Sequence, residues 1–334
     1  MERKCFCIKL PRTDVMHTIL AIVFTIAYIV VAAFESQNHV DNIKMNVNAY
    51  FSFGHYTDII TASFPAISNL CLLIKRNKLS KVAQDIININ ESSGMQGTSC
   101  NSKKWHCVFV LVLLLEYLYE LGNEGFIMLL TPSDYTFYPS IFLIWLVLRQ
   151  FADRFSILRF YYGQLLDLLN IPWVDKEKLV KYHEVLGCCS TTLWECYALQ
   201  MTIFVVFSFV LSVSYLYLVI DSYLRSGTLT AYHYVYLFWP IMYCFFIWLI
   251  VYSCAETKNM AKKFDKKLSQ LIMNDVTNKL INNKRIMHHY KVKFKDFSAM
   301  GFFNFDYPLL FSMVSTATTY IVILVQFSGR DDSQ

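Results

Sequence analysis

Ser312, Thr316, Thr319, Ile323 and Gln326 recur at i, i+4, i+7, i+11 and i+14, a spacing that puts all five on one face of a helix. The other faces of that segment are mostly Leu, Ile, Val and Phe. A hydroxyl and amide stripe holding a single Ile suits the wall of a wet pathway, with copies of the same helix packed about a symmetry axis. Ile323 would then form a hydrophobic ring. The same spacing also fits hydroxyls that bond back to their own helix or help helices pack, and periodicity alone does not choose between the two. Asp306, an acidic group at the start of the segment, lies off the stripe.

A second set of residues could hold a small organic molecule. Tyr138, Phe142 and Trp145 make one aromatic stripe, and Tyr232, Tyr236, Trp239 and Tyr243 make another at i, i+4, i+7 and i+11. Such surfaces give a flat ligand stacking area and a few hydroxyl donors. An aromatic belt at a membrane interface accounts for Tyr232, but Tyr243 lies about three turns deeper. Glu116, Glu120 and Glu124, four apart on one helical face, are costly at membrane depth and must face a cavity or a partner. Glu120 and Glu124 with Asn123 could hydrogen-bond a polar or cationic ligand such as an alkaloid amine. Glu116 is expected to pair, with Arg149 at comparable depth. Structural pairing of all three is the competing reading.

The elements that must position these groups are apolar helices. Of 334 residues, 55% are hydrophobic and 16% charged, against roughly 45–50% and 25% in an average soluble domain; the mean hydropathy is +0.38. Seven stretches are long enough to span a bilayer: Val15 to Phe34, Val47 to Ile74, Trp105 to Leu130, Thr136 to Leu158, Thr191 to Ile220, Leu229 to Ala255, and Asp306 to Phe327. The second is the weakest, with His55, Asp58, Pro65 and Asn69 inside it, and the first is too long for the core of a signal peptide. Of the 30 Lys and Arg residues, 27 fall on one side of this arrangement. Basic residues accumulate on the cytoplasmic side, so the expected fold is an all-α membrane protein with seven transmembrane helices, N-terminus inside and C-terminus outside. This is opposite to a G-protein-coupled receptor.

The predicted outer segments are short and hold no cysteine, and the single glycosylation sequon, Asn90-Glu91-Ser92, falls in an inner loop. The inner connections are long and read as helical extensions. Phe264, Leu268 and Leu271 recur between lysines beyond the sixth span, and Leu179, Tyr182, Leu186 and Leu193 do so before the fifth. An apolar face on a charged helix needs either the membrane surface or a partner, which makes these extensions candidates for an oligomerisation stalk. Asp153-Arg154-Phe155 reads as a helix-end charge pair. The expected organisation is an inner tail (1–14), a six-helix ligand-binding bundle with extensions (15–258), cytoplasmic anchor helices (259–305), a pore-lining helix (306–327) and an outer tail (328–334).

Thr319-Tyr320, five aliphatic residues from Ile321 to Val325, and Gln326-Phe327 resemble the signature that closes insect gustatory receptors. Phe297-Ser298-Ala299-Met300-Gly301-Phe302-Phe303 and Asp306-Tyr307 are similar to that family's approach to its last helix. The resemblance implies a ligand-gated, non-selective cation channel in the plasma membrane of chemosensory neurons, assembled as a homotetramer or as a heteromer with related receptors. It also implies that Gln326 and Phe327 sit at the outer constriction of the pore, and that a small organic tastant binds in the outer half of the spans. The family's sugar-sensing branch carries an acidic residue directly after the Thr-Tyr pair; Ile321 stands there, which points to a bitter-type or orphan member.

The sequence has no phosphate-cradling glycine loop, and ten glycines leave little material for one. No enzyme activity, cofactor or nucleic-acid partner is expected; the only other partner is membrane lipid. His288 and His289 are adjacent in a basic helix without an evident second ligand cluster, and Cys188 and Cys189 are vicinal, so no metal site is expected. A secondary transporter would favour an internal repeat, which is not found, and a metabotropic receptor would need the opposite charge bias; these are the alternative functions.

Overall fold

A computed structural model describes residues 49–93, 102–122, 132–228, 230–275, 277, 279–291 and 294–331, with Ile19, Ile22, Val23, Ile26 and Val30. Among the described residues there are helices and no strand. In chain order these are α1 (Ala49–Ile74), α2 (Arg76–Ser93), α3 (Ser102–Gly122), α4 (Pro132–Leu169), α5 (Lys176–Ser226), α6 (Ala231–Met273), two short helices α7 (Lys279–Asn282) and α8 (Lys284–Lys291), and α9 (Tyr307–Asp331).

The three longest helices, α4, α5 and α6, pack on one another and carry the core. Helix α5 has 51 residues and at 1.5 Å per residue is about 75 Å long, far more than the roughly 30 Å of a bilayer core. Its ends are set locally. Asp175 accepts from the Glu177 N–H at 3.0 Å as the N-cap, and Gly227, in the left-handed region at φ 67°, closes the C-terminus through its N–H to Tyr223 O at 2.8 Å. The turn before it is held by Lys176, whose ammonium donates to Leu169 O, at the end of α4, at 3.0 Å and also to Ile171 O in the connection. Burial lowers the pKa of that ammonium.

Three described helices are long and apolar enough to cross a membrane, Lys176–Leu224, His233–Met273 and Tyr307–Gln326, and Ser63–Ile74 and Cys107–Tyr119 are shorter apolar helices. Most of the first expected span lies outside the described residues.

Two expectations are corrected here. Asp153-Arg154-Phe155 does not end a helix. It lies inside α4, where Arg149 Nη2 pairs with Asp153 Oδ1 at 2.8 Å one turn away, Arg154 donates to the Tyr197 hydroxyl, and Phe155 is buried. Charges can sit there because neighbours on α4 and α5 satisfy them. The apolar faces of the inner extensions are not left for a second copy either. Leu179, Tyr182, Leu186 and Leu193 of α5 and Phe264 and Leu268 of α6 are all buried within one chain, because α4, α5, α6 and α8 cover one another.

Candidate functional site

The segment leading into α9 explains the Phe-Ser-Ala-Met-Gly-Phe-Phe run. It folds into a tight hairpin in which Ala299 N–H donates to Phe303 O (2.7 Å) and Phe305 N–H to Phe297 O (2.9 Å). Its two turn residues, Met300 (φ 51°) and Gly301 (φ 92°), both have positive φ, as a primed hairpin turn requires. Phe297, Ala299 and Phe305 are buried, and the Trp194 indole on α5 packs tilted against Phe297 and edge-on to Phe305 while its N–H donates to Ser298 O at 3.0 Å. Lys258 of α6 completes the anchor, with Nζ 2.8 Å from Asp296 and 3.8 Å from Asp306. The Tyr307 hydroxyl donates to Glu256 at 3.0 Å. The base of α9 is therefore fixed to both α5 and α6, and the charge of Asp306 is shared with Lys258.

Beyond that base, α9 stands clear of its own chain. Phe311 is 77% and Val314 68% exposed, and Ser312, Thr316, Thr319, Ile323 and Gln326 are all exposed. The residues with partial cover are Leu310, Met313, Ala317, Ile321 and Val325. At about 100° per residue these form one face, and the polar stripe lies about half a turn round the helix from it. The stripe thus points away from the body of the chain. Its hydroxyls do bond back: Ser312 Oγ donates to Leu309 O (2.8 Å), Thr316 Oγ1 to Ser312 O (2.8 Å) and Thr319 Oγ1 to Ser315 O (3.0 Å). Each hydrogen is used, and each oxygen keeps lone pairs facing outward as acceptors. Phe327 lies in the helix, but its side chain is outside the described set.

The aromatic stripes of α4 and α6 meet. Tyr138 lies between Trp239 (5.9 Å between ring centres) and Tyr117 of α3 (5.4 Å). Tyr236 and Tyr243 both pack on Tyr215 of α5, at 5.7 and 6.5 Å. Trp145, 2% exposed, stacks flat on Phe109 at 4.4 Å and also lies against Phe245 and Phe246. Tyr243 is 1% exposed, and Phe142 is half-buried. Phe109, Tyr117 and Tyr215 join these stripes without being singled out by the sequence: Phe109 sits in an unbroken apolar run, and Tyr117 and Tyr215 are brought to the stripes by helices other than those that carry them. Glu116 is half-buried in α3. The Glu120 side chain, Asn123 and Glu124 lie outside the described residues, as does the Tyr232 side chain. A cavity of about 60 Å³ between α2, α4 and α5, lined by Val82, Ile86, Arg154, Ile157 and Leu193 among others, is too small for an organic ligand, whose pockets run to several hundred Å³.

The profile of the 7tm chemosensory receptor family matches residues 4–329, nearly the whole chain. The chain belongs to the 7tm chemosensory receptor family. Among known proteins this chemosensory receptor is similar to gustatory and pheromone receptor 33a of Drosophila melanogaster, 25% identical over 111 residues, which are 31% of this chain and 23% of the relative. The match thus spans under a quarter of that receptor's length. Its fold is similar to that of the insect olfactory receptor OR5 from Machilis hrabei, with a TM-score of 0.51, 12% identity, and coverage of 98% of this chain and 92% of the other. The receptor is an all-helical membrane protein, and its family sets it apart from enzymes.

One more cluster departs from expectation. His289 does have further ligand-type groups beside it, His183 of α5 and Asp265 of α6. Three helices bring them together, so no local spacing in the sequence announces them.

Proposed function

We propose that this receptor is a ligand-gated, non-selective cation channel that detects small organic tastants, of the bitter plant-compound kind, in the plasma membrane of chemosensory neurons. The observation that carries this reading is the placement of the α9 stripe: Ser312, Thr316, Thr319, Ile323 and Gln326 are exposed and face away from the chain that bears them. Hydroxyl oxygens and an amide facing lipid along a spanning helix would gain nothing, whereas the same groups gathered round an axis line a wet path. Copies of the chain, four in a homotetramer or mixed with related receptors, bring their α9 helices together with Ile323 as a hydrophobic ring and Gln326 and Phe327 at the outer constriction. Seven spans with the N-terminus inside place the basic extensions of α4 to α6 and the 259–305 segment in the cytoplasm.

The tastant lies among Tyr138, Phe142, Tyr236, Trp239 and Tyr243, with Trp145 behind them and Glu120, Asn123 and Glu124 supplying polar contacts. Agonist must bind the open form more tightly than the closed one to shift the gate. Recording from the chain expressed alone, with a panel of plant compounds, tests the channel, and Thr319→Cys and Ala317→Cys test the geometry. Stepwise unitary currents are expected, with Thr319→Cys blocked by an aqueous thiol reagent and Ala317→Cys spared. Absence of unitary currents with every compound, or equal modification of both positions, overturns the reading.

A further inference from the structure

Three helices of the inner bundle converge on a group of side chains that neither the ion path nor the tastant site uses. His183 of α5, Asp265 of α6 and His289 of α8 each offer one ligand atom, and these atoms lie within 4.8 Å of one another. Asp265 Oδ1 is 3.1 Å from His289 Nε2 and 3.9 Å from His183 Nε2. His183 is 3% exposed and stacked on Phe264 at 4.3 Å, with Tyr162 and His289 edge-on to it. Neither of its ring nitrogens has a well-formed hydrogen bond; the Ala261 carbonyl and the Asp265 carboxylate are the acceptors that act on it. Leaving a buried nitrogen in that state is unfavourable.

The ring is held neutral. Burial pushes the His183 pKa down to about 4, and His289 adds to the fall, against the opposing pull of Asp265 and the Ala261 carbonyl. Neutral imidazole is the form that ligates metals. The group beside His289 completes the pattern. Glu184 Oε1 faces its other nitrogen, Nδ1, at 3.9 Å, and the Glu184 carboxylate is itself held by Arg285 at 3.1 Å. At 3.9 Å that carboxylate is beyond hydrogen-bond distance; drawn closer, it would orient a ligating imidazole and present the opposite nitrogen to a metal.

We propose that His183, Asp265 and His289 form a transition-metal site, with Zn²⁺ the ion its donors suit best, that ties α8 to the α5–α6 pair. Two imidazoles and one carboxylate disfavour Mg²⁺ and Ca²⁺, which take oxygen ligands, and leave a fourth position for water. In a tetrahedral Zn²⁺ site with bonds of about 2.0–2.1 Å, ligand atoms stand about 3.3 Å apart. The 3.1 and 3.9 Å separations from Asp265 bracket that distance, and all three ligand atoms lie within 4.8 Å of one another, so side-chain rotations that draw the two imidazoles together would close the site. The metal would clamp the segment that leads from α6 into the base of α9. Its binding does not depend on whether the receptor is a channel.

The test is metal binding to the purified full-length receptor in nanodiscs, made without a histidine tag and stripped with a chelator. Co²⁺ serves as the optical probe and Zn²⁺ as the competitor. One Co²⁺ per chain, with the intense absorption of a four-coordinate ion and displaceable by Zn²⁺, is expected. His289→Asn and Asp265→Asn should each weaken binding by about tenfold or more, while His288→Asn, at the exposed neighbour, leaves it unchanged. Failure of the unsubstituted receptor to bind stoichiometrically overturns the proposal without any variant having to fold. Equal loss in His288→Asn and His289→Asn overturns it as well.

Discussion

Lys258→Met removes the charge that joins α6 to the base of α9 while keeping the side chain's apolar stem. The Lys258 side chain is 12% exposed and serves two carboxylates, Asp296 at 2.8 Å and Asp306 at 3.8 Å. Removing one partner of a fully buried pair costs about 3–5 kcal/mol, and of an exposed one up to about 1. Asp296 is 42% and Asp306 29% exposed, so water recovers part of the loss and the expected cost is about 2 kcal/mol. Without Lys258 the two carboxylates also lose the cation between them, which works in the same direction. In a detergent thermal-challenge assay read by size exclusion, this corresponds to a fall of about 4 °C in melting point. Lys258→Arg should recover most of it. A double-mutant cycle should find a stronger coupling of Lys258 to Asp296 than to Asp306, following the distances. A Lys258→Met melting point equal to wild type, or a coupling to Asp306 larger than to Asp296, would refute this account of the anchor.

Other outcomes follow from the same geometry. Gly301 has φ 92°, and a Cβ there would meet nothing within 4 Å, so Gly301→Ala should cost about 1–2 kcal/mol through backbone strain alone; Gly301→Asn, which tolerates that conformation, should cost less in the same thermal assay. Trp145→Ala, at a buried ring stacked on Phe109, should destabilise by about 3–5 kcal/mol; Trp239→Ala, in the same core, should cost a similar amount and in addition lower agonist potency in variants that still reach the surface. In the presence of chelator, stability should drop as pH falls below about 6.5, the unfolded histidine value, because the unfolded chain takes up a proton that His183, at about 4, refuses. The loss is about 2 kcal/mol at pH 5 and levels off below pH 4. His183→Phe, which keeps a ring on Phe264, should remove that slope when melting is followed against pH.

What could be read in the sequence was whatever repeats along one helix. The α9 stripe, the apolar faces of the extensions at Leu179, Leu186, Phe264 and Leu268, and the aromatic stripes of α4 and α6 all follow from a period of 3.6 residues, and each describes one side of one element. What the other side meets was not legible. The extensions read as helices in want of a partner, and the partner is the neighbouring helix of the same chain. Lys258 reads as one more lysine at the end of a span, because Asp296 and Asp306 lie beyond α7 and α8. The Asp153-Arg154-Phe155 triplet reads as a helix end because charges usually mark one; Tyr197, which satisfies Arg154, comes from another helix.

The anchor and the exposed helix are two halves of one mechanical arrangement. The hairpin at 297–305, the Trp194 indole and Lys258 hold the base of α9 against α5 and α6, so that end of the helix moves with those two helices. Above the base, cover by the same chain falls away, and the stripe at Ser312 to Gln326 faces outward. A helix fixed at its base and covered only along one face above it would turn a small change in the angle between α5 and α6 into a displacement that grows with distance from the base. Gln326 lies thirteen residues beyond Met313, which still packs on the core, about 20 Å along the helix, so a tilt of a few degrees would move it by about 1–2 Å. The Tyr215, Tyr236 and Tyr243 contacts join the same α5–α6 pair. Under the proposed function, a ligand that wedges between those rings would act on the same two helices that hold the base of α9.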